Sequence, residues 1–259
     1  MITRLRLWVI VLLLSGVLPS LIAQTFTEQK NTYPLSADGS KYVVNGFIPF
    51  SSMNDESIYA NALLWTIKNV CPAQRDGITE VSVSAKSFSC NLVLTSQADA
   101  KQKNMYYCTA QFQVKDGKLV YYLSNIQIES SVVIMKKVTP MEKLQPEKKP
   151  SHKETMDDFV QIESQMLNKL FDFVSTNQLS PITHWNEINI GKPVKGMTED
   201  ECLLAFGKPQ TISESNGEVQ WMYSSSFYFF FQKRVRGNDY KIKKRSNPEI
   251  ASRVLSSLY

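Results

Sequence analysis

The sequence predicts an α+β protein. An antiparallel sheet is covered on one face by two helices, in the order β-α-β4-α, and a small α+β domain with helices on a short antiparallel sheet follows. Two observations predict this class: apolar and polar residues alternate through most of 78–129, and an apolar stripe with helical spacing lies on each side of that run. A sheet with one apolar face needs a covering layer, which the flanking helices can supply.

The central run is predicted to form about four strands. Its alternate apolar positions are Phe88, Cys90, Leu92 and Leu94, and then Tyr106, Cys108, Ala110, Phe112 and Val114. Asp116-Gly117 favours a tight turn, because Gly adopts positive φ without steric cost. The residues predicted to continue the buried face after this turn are Val120, Tyr122, Ile126 and Ile128.

The segments on either side supply the remaining elements of the first domain. Residues 42–49 predict its first strand. Asn54 or Asp55 can cap a helix whose apolar residues recur at steps of three and four until Pro72 ends it. The same spacing returns over 154–177 and predicts the second helix.

Two basic runs stand out from the rest of the chain. Residues 136–153 hold six lysines against two glutamates, and 233–245 hold seven basic residues against one aspartate. Three prolines among the charges of 138–153 predict an exposed, mobile loop there. Such runs are typical of solvated faces, and peripheral contact with an anionic membrane surface is the alternative.

Residues 1–23 have the pattern of a secretory signal peptide, with Arg4 and Arg6, then an apolar run, then Pro19 and a small residue before Gln24. Cleavage would make the protein periplasmic or secreted; a retained membrane anchor is the alternative. No Cys follows the apolar run, so no lipid-anchoring signal is predicted. Removing the segment lowers the formal charge from +5 to +3. Because an exported protein rarely meets nucleic acid, we expect no nucleic-acid partner.

The motif from Ile58 to Trp65 (IYANALLW), the central hairpin and the turn sequence from Val114 to Lys118 (VKDGK) carry a resemblance. Together they resemble a family of exported bacterial proteins of unknown function described as TATA-binding-protein-like. The resemblance covers roughly 41–177 and implies a domain over 24–177. The fold name implies no DNA binding, because function belongs to sites and not to folds.

A linker over 178–189 and a second domain over 190–259 are predicted to follow. Thr198 and Glu201 have capping-box spacing, and Gly207 ends the short helix that they open. Strands are predicted at 221–223, 227–231 and 240–244, with a turn at 237–239 and a last helix from 246 through 258.

The run from Lys195 to Pro209 (KGMTEDECLLAFGKP), followed by Trp221-x-Tyr223, carries a second resemblance. It is similar to the small envelope-protein family that groups an outer-membrane-assembly lipoprotein subunit with the β-lactamase inhibitor protein fold. This resemblance implies a role in protein contact, with another envelope protein as the partner, and no catalysis.

Few residues are available for catalysis. The two histidines, His152 and His184, are far apart in the sequence and are typical of surface positions, which leaves little for a metal site or a catalytic triad. The carboxylate clusters at 157–158 and 199–201 are predicted to lie in first helical turns, where acids favour the helix dipole. We therefore predict no cofactor, no metal and no catalytic residues.

The four cysteines lack the C-x-x-C spacing of zinc and thioredoxin-type sites. Cys90 and Cys108 lie on the apolar parity of adjacent strands, and a hairpin turn around Asp99 would place them directly opposite each other. A disulfide between them and a pair of buried reduced thiols are the two alternatives.

The sequence therefore favours an exported, non-catalytic envelope protein that binds another protein or a ligand. The alternative is a periplasmic hydrolase that acts on envelope polymers through two carboxylates from separate elements. Oligomeric state and partner identity have no signal in the sequence.

A candidate partner-contact face comes from the strand at 227–231. Its neighbouring residues point to opposite faces, so Met222, Tyr228 and Phe230 are predicted to lie opposite the helices. They cover the first domain or form an exposed contact surface. Serine at Tyr228 and Phe230 separates these alternatives. A contact surface predicts weaker partner binding with unfolding unchanged, whereas an internal face predicts lower stability with binding unchanged.

Overall fold

The computed structural model describes residues 36, 39–71, 74–96, 104–130, 137–224, 227–233 and 240–245. Its first sheet consists of six antiparallel strands: β1 (Val44–Pro49), β2 (Ile78–Ser82), β3 (Ser87–Thr95), β4 (Asn104–Lys115), β5 (Lys118–Ser130) and β6 (Lys137–Pro140). The order across the sheet is β1-β5-β4-β3-β2, and β6 pairs with the half of the β5 edge that β1 leaves open. β2 is thus the end strand.

One face of this sheet forms the main core, as the alternation predicts. The buried positions on β3 and β4 are Phe88, Cys90, Leu92, Leu94, Tyr106, Cys108, Ala110, Phe112 and Val114. Phe88 and Phe112 are cross-strand partners, and their rings stack at 5.0 Å between centroids. Asp116 and Gly117 both have positive φ, of 52° and 70°, which confirms the tight turn between β4 and β5.

The strand β5 contains a bulge that reverses its alternation. Between the pairs Thr109–Ser124 and Tyr107–Gln127, β5 carries one residue more than β4. Asn125, inside this stretch, has φ 52°, a left-handed conformation that Asn tolerates better than most residues. The buried residues of β5 are Leu119, Tyr121 and Leu123 before the bulge, and Ile126 and Ile128 after it.

The bulge corrects the predicted face of β5. Ile126 and Ile128 face the core as expected, but Val120 and Tyr122 do not, and they are 41% and 36% exposed. One inserted residue moves every later side chain to the other face of a strand. A strict period-2 reading across Asn125 therefore assigns one half of the strand to the wrong face.

The register of β3 and β4 corrects the expected position of two cysteines. Cys90 pairs with Ala110, and Cys108 pairs with Leu92. Diagonal neighbours are about 7–8 Å apart, beyond the reach of a disulfide. Cys71, Cys90, Cys108 and Cys202 are all free and buried, so the structure has the second of the two alternatives, buried reduced thiols. The turn expected at Asp99 lies outside the described residues.

The helices α1 (Asp55–Asn69) and α2 (Pro150–Thr176) cover the core face of the sheet. Asn54 caps α1, and its side-chain oxygen accepts a hydrogen bond from the Ser57 amide at 2.8 Å. Every residue from Ile58 to Ile67 is buried, so α1 is enclosed on all sides and not along a single stripe. The sequence anticipates this only in the apolar character of IYANALLW.

The segment 138–153 differs from the loop that was predicted. It contains most of β6, a 3₁₀ turn at Met141–Lys143 and the first turn of α2. Met141 is only 1% exposed. Pro140 ends an outer strand, and Pro150 is the first residue of a helix, where its missing N–H removes no helical hydrogen bond. The prolines therefore delimit elements here.

Within the described residues, the C-terminal part has two short helices and a four-stranded sheet. The helices are α3 (Trp185–Asn189) and α4 (Glu199–Phe206), and the strands, in the order β10-β9-β8-β7, are β7 (Thr211–Ser215), β8 (Glu218–Ser224), β9 (Phe227–Lys233) and β10 (Tyr240–Arg245). The capping box of Thr198 and Glu201 is confirmed. α3 falls within the predicted linker, and β7 was missed because all its residues are exposed and show no alternation.

One face of this second sheet packs under α4, one of the two helices predicted to cover it. Its buried residues are Val219, Trp221, Tyr223, Phe227, Phe229 and Phe231. The Phe206 ring of α4 lies 5.9 Å from Tyr223, 5.6 Å from Phe227 and 5.1 Å from Phe229 between ring centroids. Aromatic clusters of this size dominate the burial energy of a small sheet.

The two sheets meet where Gly207 lies against Gln74. The Gln74 amide donates to the Lys208 carbonyl at 3.0 Å, and the Lys208 amide donates to the Gln74 carbonyl at 2.9 Å. Gly207 has φ +74°, and a Cβ there would lie 1.9 Å from the Gln74 carbonyl carbon. Only glycine fits this contact.

The signal peptide at 1–23, the turn at 237–239 and the last helix at 246–258 lie outside the described residues. The predicted division into two domains stays a prediction.

Gly207→Ala should destabilise the fold. The side chain would force the Gln74 backbone to move and would hold an L-residue at positive φ, so we expect a loss of at least about 2 kcal/mol in the free energy of unfolding. Gly217→Ala is the matched control, because Gly217 has φ +73° with open space around its Cβ position. That control should lose only about 1 kcal/mol. Equal losses in urea titrations would contradict the proposed role of the contact.

Candidate functional site

A cleft of about 600 Å³ opens beside the junction of the two sheets. One wall is formed by the turn at 74–77 together with β2. The other wall is formed by the ends of α3 and α4 and by Tyr223 and Phe227 of the second sheet. The apolar residues that line it are Ile78, Val81, Ile190, Ala205, Phe206, Tyr223 and Phe227. This site was not predicted from the sequence, because its walls come from segments more than a hundred residues apart.

The polar groups at the cleft lie mainly on the β2 side. Arg75 donates from Nη1 to the Ala205 carbonyl at 3.3 Å, which holds this wall to the end of α4. Asp76 and Glu80 are both exposed at the rim. The cleft therefore combines an apolar interior with an acidic outer margin.

The β2 strand has a partner on one side only. It pairs with β3, and no other described strand lies along its outer edge. Its residues pair Ile78 with Cys90 and Val81 with Phe88, so these two side chains point to the helix-covered face, where the cleft lies. An end strand of this kind offers unpaired backbone N–H and C=O groups.

The wall that contains Ile190 is held by the carboxylate of Glu201. Glu201 is 1% exposed. Its Oε1 accepts from the Thr183 amide at 2.7 Å and from the His184 amide at 3.2 Å, and its Oε2 accepts from the Thr198 amide at 2.8 Å. One side chain thus joins the start of α4 to the segment that leads into α3.

A second attachment fixes α3 to α1. The Trp185 indole N–H donates to Glu56 Oε1 at 2.7 Å, and its ring lies 5.6 Å from the Tyr59 ring between centroids. The position of Ile190 at the end of α3 is therefore set by contacts with both α1 and α4. Its side chain remains 66% exposed at the cleft.

The pKa of Glu201 is lowered. Burial alone would raise it, but the backbone hydrogen bonds from Thr198 and Thr183 and the contact with His184 outweigh burial. The ionised form is therefore the one that the fold selects.

The histidine beside Glu201 is not arranged as a catalytic base. His184 Nδ1 lies 3.0 Å from Glu201 Oε1 and also 3.0 Å from Thr183 Oγ1. In a catalytic triad, the carboxylate and the nucleophile contact different ring nitrogens. The group therefore fits a structural role. His184, assigned to the surface from sequence, is part of this buried contact.

The carboxylate of Asp158 likewise serves packing. The helix α2 begins at Pro150, so Asp158 is not in its first turn as predicted. Its oxygens accept hydrogen bonds from the Tyr106 hydroxyl at 2.6 Å and the Ser96 hydroxyl at 3.0 Å. Burial, and then the Asp158 contact, raise the pKa of Tyr106.

The cysteines are poor nucleophiles. Burial raises the pKa of Cys71 to about 11 and that of Cys108 to about 12, and it raises those of Cys90 and Cys202 as well. A thiol with such a pKa is protonated near neutral pH, and the thiolate is the reactive form.

The predicted contact face is on the outer side of the second sheet. Met222 pairs with Tyr228 across β8 and β9, and the Tyr228 and Phe230 rings make an edge contact at 5.3 Å. All three side chains are half-buried, whereas their neighbours on the other face are buried. A partner for this face stays a prediction.

Within the described ranges, no cluster of three or more His, Cys, Asp or Glu residues could hold a metal ion. Among the helices of these same ranges, none has the length and apolar character needed to cross a membrane.

Acid should weaken the fold through Glu201. Its folded pKa lies below that of an unfolded Glu, about 4.3. Its charge therefore stabilises the fold above that pH, and the contribution is lost as the pH falls through the folded pKa. We expect Glu201→Gln to lower the free energy of unfolding at neutral pH by about 1–3 kcal/mol and to flatten its decline in acid. Urea titrations across pH test this, with Glu214→Gln on the exposed strand β7 as the control. An unchanged acid profile in Glu201→Gln would contradict it.

No protein-family profile matches the chain, and no curated protein matches it. Among solved structures, it is similar to a TBP-like protein from Parabacteroides distasonis ATCC 8503, with 9% identity, a TM-score of 0.46 and coverage of 56% of this chain and 99% of that chain. It is also similar to a DUF4468 family protein from Bacteroides ovatus ATCC 8483, with 12% identity, a TM-score of 0.45 and coverage of 57% and 94%.

Proposed function

We propose that this chain is an exported, non-catalytic protein of the cell envelope that binds another protein through the cleft beside β2. The observation that carries the proposal is the cleft itself, which places apolar side chains beside an edge of β2 along which no described strand pairs. Concave apolar surfaces with a few polar groups are the usual form of binding sites.

The thiol, imidazole and carboxylate side chains of the described residues favour binding over catalysis. The buried thiols are protonated near neutral pH, and His184 contacts its carboxylate and its hydroxyl through one nitrogen. The alternative hydrolase needs two carboxylates from separate elements. The two acids at the cleft, Asp76 and Glu80, come from one short segment and are exposed.

Export and the envelope location rest on the signal-peptide pattern at 1–23. The finer resemblance of the C-terminal part to the outer-membrane-assembly lipoprotein and β-lactamase-inhibitor-protein group supports a role in protein contact. Its sequence features here are the capping box at Thr198 and Glu201, Gly207 and the aromatic strand.

Site-specific cross-linking tests the proposed function. A photoreactive amino acid placed at Ile190 in the full chain, in its own cells, should give a discrete adduct with one protein. Ile212 on β7 is the matched control, because it is 59% exposed against 66% for Ile190 and lies outside the cleft. Adducts of equal yield at both positions, or none at Ile190, would contradict binding at the cleft.

A further inference from the structure

We infer that the cleft recognises its partner as an extended segment that adds a strand to β2 and carries alternating apolar and basic side chains. This inference rests on the proposed function and specifies the chemistry of the partner.

The edge of β2 gives the partner its backbone conformation. β3 occupies one side of β2, and no strand of the described ranges pairs along its other side, so an added strand could pair with the backbone there. Strand addition supplies main-chain hydrogen bonds, and pockets for alternate side chains supply selectivity. The cleft runs along this edge and includes Ile78, Thr79, Glu80 and Val81 in its lining.

The side chains of β2 decide which partner residues meet the cleft. Val81 pairs with the core residue Phe88, so it faces the helix-covered side and the cleft interior. Glu80 pairs with Ser89, which lies between the core residues Phe88 and Cys90 in β3. Glu80 therefore points to the face of the sheet opposite the helices. The register of β2 shifts between Ile78 and Glu80, so regular alternation is confined to Glu80, Val81 and Ser82. A strand added there would direct the side chain opposite Val81 into the cleft and its two neighbours away from it.

The residues on each face of β2 determine which type of partner side chain fits there. In the cleft, Ile78 and Val81 are half-buried and Ile190 is exposed, and these side chains suit apolar residues of a partner. The lining aromatics Phe206, Tyr223 and Phe227 are themselves buried. Glu80 points to the opposite face and Asp76 lies at the rim of the cleft, and both carboxylates are exposed. Basic residues at the intervening positions would complement these charges, whereas acidic residues would meet like charge.

The strand β7, at one end of the second sheet, serves as a comparison. β7 is also unpaired on one side, but every one of its residues is exposed, and it does not line the cleft. Strand addition driven by an open edge alone would occur at both strands. Recognition by the cleft restricts it to β2.

Amide hydrogen exchange of the full chain, followed by NMR, tests this inference. The probe is a short synthetic peptide of alternating valine and lysine, and its counterpart alternates valine and glutamate. With the valine–lysine peptide at about ten times its Kd, the outward amides of β2 should exchange about tenfold more slowly. The amides of β7 should be unchanged. Binding without protection of β2, or equal protection of β7, would overturn strand addition while leaving binding at the cleft intact.

Charge reversal supplies a second measurement on a folded variant. Glu80 is exposed, so Glu80→Lys should keep the fold. It should weaken binding of the valine–lysine peptide about two- to fivefold and strengthen binding of the valine–glutamate peptide by a similar factor. Ile190→Asp should weaken binding of both peptides, whereas Ile212→Asp should leave binding of both unchanged. If neither peptide binds the unaltered chain, the inferred partner chemistry is wrong, and the cross-linking result at Ile190 still decides whether the cleft binds a protein.

Discussion

The contact of Gly207 with the Gln74 backbone is the constraint on which the arrangement of the two sheets depends. It allows two main-chain segments to approach within hydrogen-bonding distance, and the reciprocal bonds between Gln74 and Lys208 follow from that approach. Lys208 also donates from Nζ to the Cys71 carbonyl at 2.7 Å, and Tyr223 donates to the Gly207 carbonyl at 3.0 Å. The end of α4 therefore stands beside β2, and the cleft lies between them.

Buried polar groups in this protein hold elements in place. Glu201 satisfies backbone amides from two segments, and Asp158 accepts from hydroxyls on β4 and on the residue that follows β3. Removing one partner of such a contact leaves buried groups without hydrogen bonds, which costs more than the bond itself contributes. The contacts of Glu201 hold one wall of the cleft in place, while the cleft itself offers both apolar and polar surface.

Much of the fold could be predicted from the sequence, because alternation and capping are local signals. The buried faces of β3 and β4, the cap at Asn54 and the capping box at Thr198 all appear within a few residues. The bulge at Asn125 could not be predicted, since one inserted residue changes register without changing composition. The cleft was missed for a different reason: its walls are brought together by the Gln74–Lys208 pairing, which has no signature in either segment.

The position of β1 has a consequence for how the chain folds. β1 is the earliest described strand, yet it pairs with β5, with Val44 opposite Leu123. The β3–β4 and β4–β5 pairs join neighbouring strands and close short loops, whereas β1 must wait until β5 has been synthesised and ordered. Until then the outer edge of β5 is open, and open edges recruit strands from other chains. Self-association during synthesis and refolding is therefore governed by how fast β1 docks, a kinetic property that the finished sheet conceals.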